Sequence, residues 1–67
     1  MVSLKDIEKI AVGFISKKRT VQNITVSSIE REKGLWVVKG YYTKNEEHIK
    51  FAIDIDDEGN VVASLPL

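Results

Sequence analysis

Apolar side chains recur at three- and four-residue steps in the first part of the chain and at alternate positions after it. In "SLKDIEKIAVGFIS" the residues Leu4, Ile7, Ile10, Ala11, Phe14 and Ile15 fall on one stripe of a helical wheel, which predicts an amphipathic helix. Ser3 is placed to cap the free amide of Asp6, and Asp6 and Glu8 suit the positive end of the helix dipole. Lys17, Lys18 and Arg19 suit the negative end. Gly13 sits on the polar side of the wheel, where glycine costs about 1 kcal/mol relative to alanine.

From Val21 onward the period changes and β-branched residues dominate, which predicts four strands, Val21–Arg31, Leu35–Thr43, His48–Asp56 and Asn60–Leu65. The links "REKG", "TKNEE" and "DDEGN" are short and polar, so neighbouring strands pair antiparallel. The expected fold class is α+β, an N-terminal helix packed on one face of a four-stranded antiparallel meander, with residues 1–67 as a single domain.

Turn length determines which side chains share a face. A three-residue loop at Glu32–Gly34 pairs Arg31 with Leu35 and Val26 with Gly40, and a three-residue loop at Asp57–Gly59 pairs Ile55 with Val61 and Ile53 with Ala63. For the middle hairpin, a two- or four-residue loop centred on Asn45 and Glu46 sets Trp36, Val38 and Tyr42 beside Ile55, Ile53 and Ile49, with Phe51 opposite Gly40. An odd-numbered loop would instead bring the Lys39 ammonium into the core row, which costs several kcal/mol without a partner.

The core face expected from these pairings holds Ile24, Val26, Trp36, Val38, Tyr42, Ile49, Phe51, Ile53, Ile55, Val61, Ala63 and Leu65. The opposite face then carries Ile29, Leu35, Val37, Tyr41, Ala52 and Val62 among Thr25, Ser27, Lys39, His48, Lys50, Asp54 and Ser64. One helix covers only one face, so Ile29, Leu35, Val37, Tyr41 and Val62 are candidate interface residues.

Composition adds restraint rather than identity. A 67-residue chain buries only about 60% of the surface its unfolded form exposes, and with no cysteine neither disulfides nor thiolate metal sites add stability. Formal charge balances at zero, which argues against a strongly basic nucleic-acid binder. The distribution is uneven, with seven basic and four acidic residues in 1–33 against three and six in 34–67. Lys5, Asp6, Glu8 and Lys9 interrupt any apolar run at the N-terminus, so neither a signal peptide nor a membrane contact is expected, and the cytoplasm is the expected compartment. Abundant Lys, Glu, Ile and Val with few amides suits a thermophile.

No catalytic, cofactor-binding or metal-binding residues are expected. "DIDDEG" matches the opening of a calcium loop, but its twelfth position is Leu65 rather than a bidentate carboxylate, so a solvated hairpin turn is expected. His48, the sole histidine, follows Glu46 and Glu47, and consecutive strand side chains point to opposite faces and cannot close a site. "KKRT" is the one dense basic cluster. Lys17, Lys18 and Arg19, with Tyr41 on the sheet surface, are the candidate contacts of a nucleic-acid reading.

The run "LWVVKGYYTKNEEHIKFAIDIDDEGNVV" combines a tryptophan-bearing strand, an alternating strand, an Asp-rich turn with glycine and a final strand. It resembles PepSY-type domains near "FAIDIDDEGNVV" and gas vesicle protein O between Gly34 and Val62. The resemblance implies inhibitory, assembly or accessory binding roles and supplies no catalytic motif. The expected function is therefore a small non-catalytic interaction or assembly module, with another protein or a second copy as partner. Nucleic-acid binding is the alternative.

Overall fold

A computed structural model describes residues 3–18 and 21–66. Helix α1 spans Leu4–Lys18 and is followed by strands β1 (Gln22–Glu32), β2 (Leu35–Lys44), β3 (Glu47–Ile55) and β4 (Val61–Leu65). The strands form one antiparallel sheet in the order β1-β2-β3-β4, so the fold is the expected α+β meander. The helix starts on a reciprocal cap. The Asp6 amide donates to Ser3 Oγ at 3.2 Å and the Ser3 amide donates to Asp6 Oδ2 at 3.3 Å, which satisfies two otherwise orphan donors. The helix packs against β2 and reaches both edge strands, β1 and β4. Ile7, Ala11 and Ile15 meet Val38, Tyr42, Phe51, Ile53 and Ile55 in the buried core.

The central hairpin has the expected register, with Trp36 opposite Ile55, Val38 opposite Ile53, Gly40 opposite Phe51 and Tyr42 opposite Ile49. It closes on the two-residue turn Asn45-Glu46, whose φ angles of 50° and 67° are both positive, as a type I′ hairpin requires. At the centre of the sheet Phe51 lies across the space left by Gly40. A β-carbon there would overlap the Thr25 carbonyl oxygen and stand 2.7 Å from the Phe51 ring. The Tyr42 ring continues the layer, stacked on Phe51 at 6.1 Å between centroids.

The outer hairpins depart from the expected phase. The first closes on Lys33-Gly34 rather than on three residues, with φ values of 49° and 80°, a second type I′ turn whose twist matches the strands it joins. The register shifts by one, so Arg31 faces Trp36 and Ile29 faces Val38. Ile29 therefore lies on the helix-covered face, half-buried against the core, and not on the open face where the longer loop would have set it. A bulge between Val26 and Ser28 then restores the expected Val26–Gly40 pair. There the Ser27 hydroxyl donates to the Lys39 carbonyl at 3.1 Å.

The last hairpin closes as expected on Asp57–Gly59, with the Asp56 amide donating to the Asn60 carbonyl at 2.9 Å and Ile55 opposite Val61. A register shift follows at once, pairing Ala63 with Asp54 and Leu65 with Ala52. Ala63 and Leu65 thus leave the expected core row for the open face, and Ser64 takes the core side opposite Ile53. One extra residue in a period-two element reverses every side chain beyond it.

Three substitutions test this packing. Gly40→Ala drives a methyl group into the Thr25 carbonyl and is expected to cost about 3 kcal/mol. Gly13→Ala adds a methyl group where nothing lies within 4 Å and is expected to stabilise by about 1 kcal/mol. Glu46→Gly relieves a left-handed backbone and is expected to stabilise by about 1 kcal/mol. Chemical denaturation of the three variants checks both signs, and a neutral Gly40→Ala would contradict the packing at the sheet centre.

Candidate functional site

Among the described residues nothing covers the face of the sheet away from α1, and the strand register lays it out in rows across the strands. The upper row is Glu30, Val37, Asp54 and Ala63, the middle row is Ser28, Lys39, Ala52 and Leu65, and the lower row is Thr25, Tyr41 and Lys50. Leu35 stands above them opposite Glu32, and Thr43 and His48 face each other below. Tyr41 is 44% exposed and Leu65 69% exposed, which for large apolar side chains is a real departure from burial. Between them lies a shallow depression of about 750 Å³, bordered by Lys39, Lys50, Ala52 and Pro66.

Of the candidate interface residues, Leu35, Val37 and Tyr41 lie on this face, Ile29 lies on the other, and Val62 is 53% exposed at the register shift of edge strand β4. Leu65 and Ala63 belong to the face but were expected in the core. The alternation of "VVASL" reads correctly only from the register shift onward, and no turn residue marks where that shift falls. The centre of the apolar surface consequently moves from Leu35, Val37 and Val62 toward Tyr41, Ala52 and Leu65.

Charges on the face are partly paired. Lys39 Nζ lies 3.5 Å from Glu30 Oε1, with both side chains about half exposed. Among the described residues, Lys50 and Asp54 have no ion-pair partner. The basic residues of the nucleic-acid reading are not gathered here. Lys17 is on α1, on the opposite side of the sheet from Tyr41, while Arg19 and the side chain of Lys18 lie outside the described residues. A second opening, of about 550 Å³, is bordered by Phe14 and Ile15 of the helix and by Tyr42, Ile49 and Phe51 of the sheet. Its walls are core side chains together with Lys44, Leu65 and Pro66, the last two of which also border the depression on the open face.

The acidic turn acts on the backbone and on the neighbouring hairpin. Asp56 Oδ1 accepts hydrogen bonds from the Glu58 amide at 2.9 Å and the Asn60 amide at 2.8 Å. These bonds, led by that from Asn60, hold the Asp56 carboxyl below the usual carboxylate range. Asp57 receives a two-pronged contact from Arg31, at 2.6 Å to Oδ1 and 3.0 Å to Oδ2. The Arg31 hydrogen bond, followed by its charge, lowers the Asp57 carboxyl as well. The guanidinium also covers the Trp36 ring at 4.7 Å, so β1, β2 and the β3–β4 turn meet in one clamp. "DIDDEG" is thus a hairpin turn whose first two acidic side chains after Asp54 are engaged by protein groups. Among the described residues, no group of three or more His, Asp or Glu side chains is placed to hold a metal ion.

In comparison with known proteins, no family model matches the chain, and neither a curated protein nor a solved structure matches it. Among the described residues, no helix is long and apolar enough to cross a membrane.

The two lowered carboxyls determine the sign of the acid response. Each binds its proton less readily folded than unfolded, so their contribution is present above about pH 4 and is lost as pH falls through the folded-state values. The melting temperature is expected to drop between about pH 5 and pH 2, and Asp57→Asn should flatten that drop while lowering stability at neutral pH. Parallel pH profiles for wild type and variant would contradict the clamp.

Proposed function

We propose that this chain is a small non-catalytic interaction module whose working surface is the uncovered sheet face. The observation that carries the reading is the depression lined by Tyr41, Leu65, Ala52, Lys39 and Lys50, on a face that no other described element covers. Exposed apolar side chains interleaved with charged ones, Lys39 among them at the middle of the face, are a composition that modest protein interfaces use. The resemblance of residues 34–62 to PepSY-type and gas vesicle protein O domains, which implies inhibitory, assembly or accessory binding roles, is in keeping with the same class. The cytoplasm is the compartment this reading assumes. Nucleic-acid binding is the competing outcome, and it is weakened by the separation of Lys17 from Tyr41 on opposite sides of the sheet.

A photoreactive phenylalanine analogue at position 41, compared with the same analogue at the exposed helical position Glu8, tests the surface directly. Irradiation in cells that make the protein is expected to give a protein adduct of defined mass from position 41 and none from position 8. Equal labelling, or none from either site, would overturn the reading. An adduct with RNA, together with salt-sensitive retention on heparin, would favour the alternative.

A further inference from the structure

We propose that the partner of the open face is a second copy of the same chain, docked face to face about a twofold axis that runs across the strands over the Lys39–Ala52 row. The proposal rests on the reading of this face as the working surface and adds the occupant and its orientation. It comes from the arrangement of charge. Lys50 and Asp54 stand on β3 at equal distances on either side of Ala52, with opposite signs, and neither has an ion-pair partner among the described residues of its own chain. On β2 the two apolar residues Tyr41 and Val37 flank Lys39 in the same way.

A twofold axis in the plane between two such faces keeps each strand over its own counterpart and reverses position along it. Lys50 of each copy then meets Asp54 of the other, and Tyr41 of each meets Val37 of the other. This is the reciprocal pairing that an isologous interface demands. The small side chain of Ala52 stands on the axis and permits the close approach of two sheets, at about 10 Å. Lys39 would meet its own copy, and the opposite charge of Glu30, 3.5 Å from its ammonium on β1, offsets part of that repulsion. Turning the axis parallel to the strands loses this match, because Lys50 then faces Tyr41 and Asp54 faces Val37.

The size of the face bounds the affinity. Four strands about 4.8 Å apart, over the three rows, present roughly 400 Å² per copy, below the roughly 800 Å² of a standard interface. The dimer is therefore weak, with a Kd above about 10 µM.

Sedimentation equilibrium at protein concentrations up to about 1 mM, on wild type, Lys50→Asp, Asp54→Lys and the double variant, tests both occupant and orientation. The wild type is expected to dimerise. Each single reversal should weaken the dimer at least about tenfold, and the double reversal should restore it to within about threefold, because the symmetric pairs re-form with their signs exchanged. Circular dichroism establishes that each variant is folded. A double variant as weak as the singles, or singles as tight as wild type, would overturn the docking orientation. A wild type that remains monomeric at the highest concentration would overturn the second copy as partner. An adduct from position 41 with a different protein would in that case leave the open-face reading standing by itself.

Discussion

The layout of the sheet depends on a close approach at Gly40. The Thr25 carbonyl comes from one side and the Phe51 ring from the other, and both occupy space that any other residue would fill with its β-carbon. That approach joins β1, β2 and β3 at the sheet centre and determines which residues of β2 and β3 face the helix. Phe51, with Tyr42 stacked beside it, then presents a continuous apolar floor to Phe14 and Ile15. In a domain this small, where few residues are fully buried, one such contact carries a large part of the specificity of packing.

Gly40 also explains why the centre of the fold was legible in the sequence and the periphery less so. On β2 and β3 two independent constraints agree: the alternation of large apolar residues, and the need to keep Lys39 out of the core while pairing a glycine with an aromatic. At the edges only alternation was available. Lys33-Gly34 closes a turn that demands positive φ at both positions, and lysine gives no signal for such a backbone, so a three-residue loop with glycine last was the natural expectation. The consequence was local, because the bulge at Ser27 cancels the slip before it reaches Val26. It was still enough to turn Ile29 and Arg31 to the helix side. On β4 no second irregularity cancels the first, and Ala63 and Leu65 stay turned outward.

Those phase changes have a common physical result, which is the separation of jobs between the two ends of the sheet. Turning Arg31 to the helix side lets it cover Trp36 and grip Asp57, so the tips of the first and last hairpins are tied together by a guanidinium rather than by buried apolar area. Turning Leu65 outward enlarges the apolar part of the open face near Tyr41 and Ala52. The candidate site was therefore half legible. Leu35, Val37 and Tyr41 follow from the reliable phase of β2, whereas Leu65 depends on a β4 register shift that no turn residue announces.

A sheet with one helix has a core on one side only, and this limits what the chain can do alone. Exposed Tyr41 and Leu65, with half-buried Val37 and Ala52, represent apolar area not withdrawn from water within the chain. Burying that area against a second molecule stabilises the folded state through mass action, since the unfolded chain cannot bind. For a domain without disulfides, such linkage is one of the few remaining sources of stability. In the proposed dimer the charges on the same face would supply orientation, which apolar area alone cannot, because a flat hydrophobic contact tolerates sliding by a strand residue whereas opposed lysine and aspartate do not. On the proposed dimer, apolar residues of the open face would provide a modest drive and Lys50 and Asp54 would set the register.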